Sequence, residues 1–233
     1  IGLNPNDQGA IDRTMIMLDA TQNKSKLGAN AILAVSLAVA KAAASAQHVQ
    51  LYQHINQLVG SPQMSLPRPM INILNGGKHA FDGTDIQETM IVPVNSSSIA
   101  EALHCGSRIF HHLADIIKAN KQSTLVGDEG GFAPSLKNYE AILDLLMQSI
   151  SSAGFEPGKD VAIALDVASS ELFDGDIYNF KSLNQQFTRD ELIDWYKNLL
   201  GRYPIISIED GLEQDDWLGW KEMTQEIGQE VQL

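Results

Sequence analysis

Residues 161–166 read VAIALD, five apolar residues running into one carboxylate, and residues 205–209 repeat the arrangement as IISIE. Short, nearly continuous apolar runs of this kind suit strands buried on both faces. Between them lies one helical stretch. Thr188 and Glu191 have capping-box spacing, and Leu192, Tyr196 and Leu199 recur on one face. Strand, helix, strand predicts a parallel pair joined by a right-handed crossover. An acid at the C-terminal end of each strand points towards the active face of a β/α barrel.

The same texture extends towards the N-terminus. Further apolar runs occupy 70–74, 90–94 and 125–126. Ser98 and Glu101 have capping-box spacing before Leu103, Phe110, Leu113 and Ile117, while Tyr139, Ile142, Leu143, Leu146 and Ile150 form a stripe ended by Gly154. The alternation predicts a parallel sheet throughout. Residues 8–58 read as entirely helical, with Ile11, Met15 and Leu18 on one face. The segment 29–46 is apolar, broken by Asn30, Ser36 and Lys41. It is too short and alanine-rich for a bilayer span and is expected to be a helix buried on most sides. The stretch GSPQMSLPRP, 60–69, has one glycine and three prolines and marks a domain boundary.

The chain has 233 residues, 44% of them hydrophobic, enough for a sizeable core. Asp and Glu number 29 against 16 Lys and Arg, a net charge of −13. That balance argues against nucleic acid and anionic membrane surfaces as partners. An anionic substrate would need metal ions or a local basic cluster to reverse the field. The single Cys105 cannot form an intrachain disulfide, fits a reducing compartment, and lies in a helical pattern that favours a buried thiol over a nucleophile. The chain opens at Ile1-Gly2-Leu3-Asn4 without a signal-peptide pattern.

Residues 124–134, TLVGDEGGFAP, place Asp128 and Glu129 between glycines. Glycine permits positive φ and close backbone approach, so these acids either sit over a ligand or cap the next helix. Glu129, Asp166 and Glu209 are 37 and 43 residues apart, one strand–helix unit each. Hard oxygen ligands without His or Cys clusters favour Mg²⁺, then Mn²⁺, with Asp166 and Glu209 as ligands; helix capping is the alternative. Asp210 follows directly, and only one of Glu209 and Asp210 should aim inward. Glu129, near other carboxylates and partly desolvated, suits proton transfer. Gln87 and Glu88 in DIQETM and His79 in NGGKHA are further candidates. Alone, such a histidine is more often structural.

Together the segments NKSKLGANAILAVSLA, INILNGGKHA, DIQETMIVPV, VGDEGGFAP, LDVASSE and SIEDGL resemble the enolase (phosphopyruvate hydratase) family from about Asp7 to the last residue. The resemblance implies a lyase of glycolysis, a cytoplasmic, Mg²⁺-dependent homodimer that reversibly dehydrates 2-phospho-D-glycerate to phosphoenolpyruvate. It implies an α/β fold: the helical part of an α+β N-terminal domain (1–59), a linker (60–69), and the first part of an enolase-type β/α, TIM-like barrel (70–233) whose first strands depart from regular alternation. By motif, Glu129 resembles the general acid, Glu88 its carboxylate partner, Gln87 a substrate-contacting glutamine, and His79 the loop histidine that closes near substrate. Asp166 and Glu209 resemble two ligands of the tightly held magnesium. That chemistry needs a metal or equivalent charge, because removing a proton beside a carboxylate builds up negative charge.

The match has limits. The third metal carboxylate, the basic lysine and the anion-holding groups have no counterparts here, so the chain reads as a fragment expected to be inactive alone. Thr89 stands where the family usually has an aromatic. An acid-sugar dehydratase of the same superfamily is a rival, but its Lys-x-Lys would have to be Lys24-Ser25-Lys26, which precedes a helix. A non-catalytic binding or structural protein derived from enolase is the other alternative.

Overall fold

The computed structural model describes residues 2–77, 84–134, 136 and 138–233. They form two compact units, Ile1–Leu66 and Pro67–Leu233.

The first unit contains α1 (Gln8–Asp19), α2 (Ala29–Ala46) and α3 (Leu51–Leu58). Asp7 caps α1 by accepting from the Ala10 N–H. The turn into α2 is organised by buried Asp19, which accepts from the backbone N–H of Leu27 at 2.6 Å and of Thr21 at 3.0 Å, and from the Thr21 hydroxyl. Ile11 is buried as its stripe requires, but Leu18 is 61% exposed. The expectation that α2 is buried on most sides fails. Only Ala40, Ala43 and Ala44 are buried, whereas Leu33, Val35 and Leu37 are exposed. Two neighbouring short helices offer too little apolar surface to surround one apolar on all sides. By length and composition alone, the 18 residues of α2 could also cross a membrane.

The second unit holds β1 (Ile71–Asn75), β2 (Glu88–Pro93), α4 (Ile99–Ala119), α5 (Tyr139–Ser152), β3 (Val161–Asp166), β4 (Phe173–Asp174), β5 (Ile177–Phe180), β6 (Gln185–Phe187), α6 (Arg189–Leu200), β7 (Ile205–Glu209) and α7 (Trp217–Ile227). The main sheet has the order β1-β2-β3-β7; β4, β5 and β6 form a small antiparallel sheet. β3 and β7 are parallel, as VAIALD and IISIE predict. The expectation of a parallel sheet throughout is wrong for the rest, since β1–β2 and β2–β3 are antiparallel. A single crossover helix returns the chain to the end where its strand began. Two helices, α4 then α5, leave it at the end where β2 finished, so β3 runs back. Residues 125–126 are too short for a strand: Val126 makes one bridge to Phe132, and Leu125 is 78% exposed.

Alternation assigns the two faces of the sheet. Ile91, Ile163 and Leu165 join the main core with Ile109, Leu113, Leu143, Leu146, Leu192 and Tyr196 from the helices. Met90, Val92 and Ala164 form a separate cluster on the opposite face. Thr188 and Glu191 make the expected capping box. At α4 the box is only half made: Ser98 accepts from the Glu101 N–H, but the Glu101 carboxylate takes the Ser97 N–H and hydroxyl instead. Cys105 is buried, as expected. Beyond β7, Gln232 exchanges backbone hydrogen bonds with Ile206 and Ile208 in parallel sense. Among the described residues the sheet does not close on itself, and the barrel is incomplete.

Candidate functional site

Register places four polar residues in one row across the main sheet. Asn75 pairs with Glu88, Glu88 with Asp166, and Asp166 with Glu209. Each lies at the same edge, where β1, β3 and β7 end and antiparallel β2 begins. Adjacent strands lie about 4.8 Å apart, so the row spans about 14 Å. Two hydrogen bonds tie the chain beyond β3 to the end of β7: the Val167 N–H donates to the Glu209 carbonyl, and the Ser169 N–H to that of Asp210. Register thus sets Glu209 beside Asp166. Asp210, with φ of +48°, has already left the strand conformation.

The trio expected from spacing was Glu129, Asp166 and Glu209. In the structure Glu88 holds the third place in the row, and Glu129 arrives from a loop. That loop is a glycine turn closed by the Gly127 N–H on the Gly131 carbonyl at 2.8 Å. Gly130 has φ of +83°, and a Cβ on Gly131 would lie 2.4 Å from Asn75 Oδ1 and 2.9 Å from the Leu74 nitrogen. The glycines therefore let the turn lie against β1. Glu129 Oε2 accepts from Asn72 Nδ2 at 3.2 Å and from Asn75 Nδ2 at 3.4 Å.

Crowded acids shift one another. Glu88 is pushed up to about 7, first by desolvation, then by its hydrogen bond with Glu129 and the charges of Glu129, Asp166 and Glu209. Asp166 is pushed up to about 6 by desolvation and then by Glu209, against a hydrogen bond from the Ala168 N–H. Gln87 Nε2 donates to Asp166 Oδ2 at 3.4 Å, so Gln87 lies with the acids. His79 lies outside the described residues. Asn72 and Asn75 were not singled out from sequence, although two asparagines in an apolar run, MINILN, are a visible oddity.

Among the described residues, no group of three or more His, Cys, Asp or Glu side chains is arranged to hold a metal ion. Asp166 and Glu209 are nonetheless a fitting pair of donors. Both offer hard carboxylate oxygens, and the repulsion that raises Asp166 is what a divalent cation between them would relieve. Comparison with known families matches residues 1–55 to the enolase N-terminal domain and residues 63–233 to the enolase C-terminal TIM barrel domain.

Proposed function

The chain belongs to the enolase family, and from that premise we propose that it carries part of the active site for reversible dehydration of 2-phospho-D-glycerate to phosphoenolpyruvate. The supporting observation is the single row Glu88, Asp166, Glu209 with Glu129 suspended beside it by two amides. One end of the row collects negative charge; at the other, desolvation and then a hydrogen bond with Glu129 hold the Glu88 carboxyl well above its ordinary range.

Asp166 and Glu209 would hold Mg²⁺, which when bound supplies positive charge opposite the negative charge developing on substrate. Glu129 gives its proton to the departing C3 hydroxyl, which leaves as water. Glu88 keeps that proton available, because both carboxylates cannot ionise cheaply at close range. Gln87 orients Asp166 and offers an amide to substrate, and His79 is assigned to the closing loop on the motif alone. Residues 60–69 are assigned as the linker between the helical and barrel parts. A cytoplasmic location and a homodimer of the whole protein belong to the same reading.

Glu129→Gln in the full-length protein tests it. The variant should fold, bind Mg²⁺ and still exchange the C2 hydrogen with solvent deuterium, while product formation falls by about 10²–10⁴. Loss of exchange as complete as loss of dehydration would remove Glu129 from the role of acid in the second step.

A further inference from the structure

We infer that Asn75 is a positioning residue that fixes which oxygen of Glu129 carries the transferable proton. The inference rests on the dehydration proposed above and adds a residue that the motif comparison does not assign.

Asn75 is 3% exposed. Its backbone N–H donates to the Phe132 carbonyl at 2.8 Å, and its side-chain Oδ1 accepts from the Gly131 N–H at 2.7 Å. An N–H can be met only by the amide oxygen, so the orientation of this amide is fixed by chemistry. Its Nδ2 is thereby aimed at Glu129 Oε2. Asn72 supplies a second donor to the same oxygen. Residues three apart in a regular strand face opposite sides. Here the register slips between Asn72 and Leu74: Asn72 pairs with Met90, Leu74 with Thr89 and Asn75 with Glu88. One extra residue in β1 is a bulge, and it returns Asn72 and Asn75 to the same face.

The consequence is chemical. Two amide donors converge on Oε2, so a proton on Glu129 resides on Oε1. During the reaction that proton passes from Oε1 to the leaving hydroxyl. The C3–O bond breaks with its electron pair going to oxygen, water departs, and the pair left at C2 by deprotonation becomes the C2=C3 bond. Glu129 ends as a carboxylate whose charge at Oε2 already has two donors.

Asn75→Asp separates this role from loop anchoring, because it keeps an acceptor for the Gly131 N–H and removes the donor to Glu129. In the full-length protein with Mg²⁺, three quantities decide: hydrogen exchange at the Gly131 amide, C2 hydrogen exchange, and phosphoenolpyruvate formation. The expected result is a protected Gly131 amide, near wild-type C2 exchange, and kcat for dehydration lower by about 10² with little change in KM, the scale of a small misplacement of a reacting group. Asn72→Ala, which leaves the Gly131 contact alone, should lower the same step by less and serves if Asn75→Asp does not fold. Wild-type dehydration by Asn75→Asp with Gly131 protected, or by Asn72→Ala where that variant serves, would reduce these side chains to anchors and overturn the inference; so would equal loss of both reactions. A wild-type protein that neither exchanges C2 hydrogen nor dehydrates 2-phosphoglycerate would instead overturn the proposed function itself.

Discussion

Glu88 and Asp166 are register partners on antiparallel strands, and each is held well above the ordinary carboxylate range by burial and by its acidic neighbours. Such a pair costs stability whenever both members ionise. That cost is typical of a site arranged for chemistry.

It gives a pH dependence with a definite sign. Glu88 rises from 4.5 to about 7 and Asp166 from 3.8 to about 6 on folding. Each group binds its proton more tightly in the folded state, so its stabilising contribution is complete below the unfolded value and is lost as pH rises through the folded one. In EDTA, stability contributed by this corner should therefore fall between about pH 4 and pH 7. Glu88→Gln and Asp166→Asn should each flatten that slope, as read from urea midpoints across the range. An unchanged slope in both variants would refute the assignment.

Metal binding supplies the complementary test. Asp166→Ala or Glu209→Ala each removes one charged oxygen ligand from a hard cation. Titration calorimetry on the full-length variants should show Mg²⁺ binding lost or greatly weakened while the circular dichroism of the helices persists. Unaltered Mg²⁺ affinity in both would move the cation elsewhere.

A buried polar contact lies on the other face of the sheet. Thr89 and Tyr139 share a hydrogen bond of 2.8 Å between hydroxyls, and both residues are buried. Thr89→Val leaves the tyrosine hydroxyl without its partner, at a cost of about 1–3 kcal/mol. Thr89→Val with Tyr139→Phe removes both groups and should recover much of it. Additive losses in the double mutant, measured by denaturant unfolding, would show that the two hydroxyls are not coupled.

How far the sequence reveals these features depends on their range. The Thr188–Glu191 box and the 139–150 stripe are local and follow from spacing. VAIALD and IISIE pair as expected because α6 is the one long helix between them, the short β4–β6 sheet lying ahead of it. The antiparallel strands β1 and β2 escape such reading, since strand direction depends on how many helices intervene and not on the strand's own residues. The β4–β6 meander was also missed, although Gly175-Asp176 forms its two-residue turn and Tyr178 and Phe180 alternate inward. Asp166 and Glu209 are legible as strand-end acids. The contacts of Asn72 and Asn75 with Glu129 are not, because a one-residue bulge decides which way two side chains face.

The Asp19 turn of the first unit offers a test within that unit. Its carboxyl is held below the ordinary value, first by the Thr21 hydroxyl and also by the Leu27 and Thr21 N–H groups. A depressed folded value stabilises above the unfolded one, and the effect is lost as pH falls through the folded one. Asp19→Ala should lower the protection factor of the Leu27 amide, its exchange measured against the intrinsic rate, at neutral pH, and acidification should lower the same factor in the wild type. A Leu27 amide equally protected in both proteins would show that the turn holds without its carboxylate.

The two glycines after Glu129 make different demands. Gly130 has φ of +83° and open space around a would-be Cβ, so Gly130→Ala should cost about 1–2 kcal/mol in backbone strain without displacing anything. Gly131 has no positive-φ requirement. Its constraint is contact, because a methyl would meet Asn75 Oδ1 and the Leu74 and Ile73 backbone at 3.0 Å or less. Gly131→Ala must lift the turn from β1, break the Gly131 to Asn75 hydrogen bond, and carry Glu129 away from both asparagines. In the full-length protein Gly131→Ala should thus lose dehydration far more than C2 exchange, while Gly130→Ala loses mainly stability and keeps the ratio of the two reactions. Equal ratios in the two variants would mean that the position of Glu129 does not depend on how closely this turn approaches the strand.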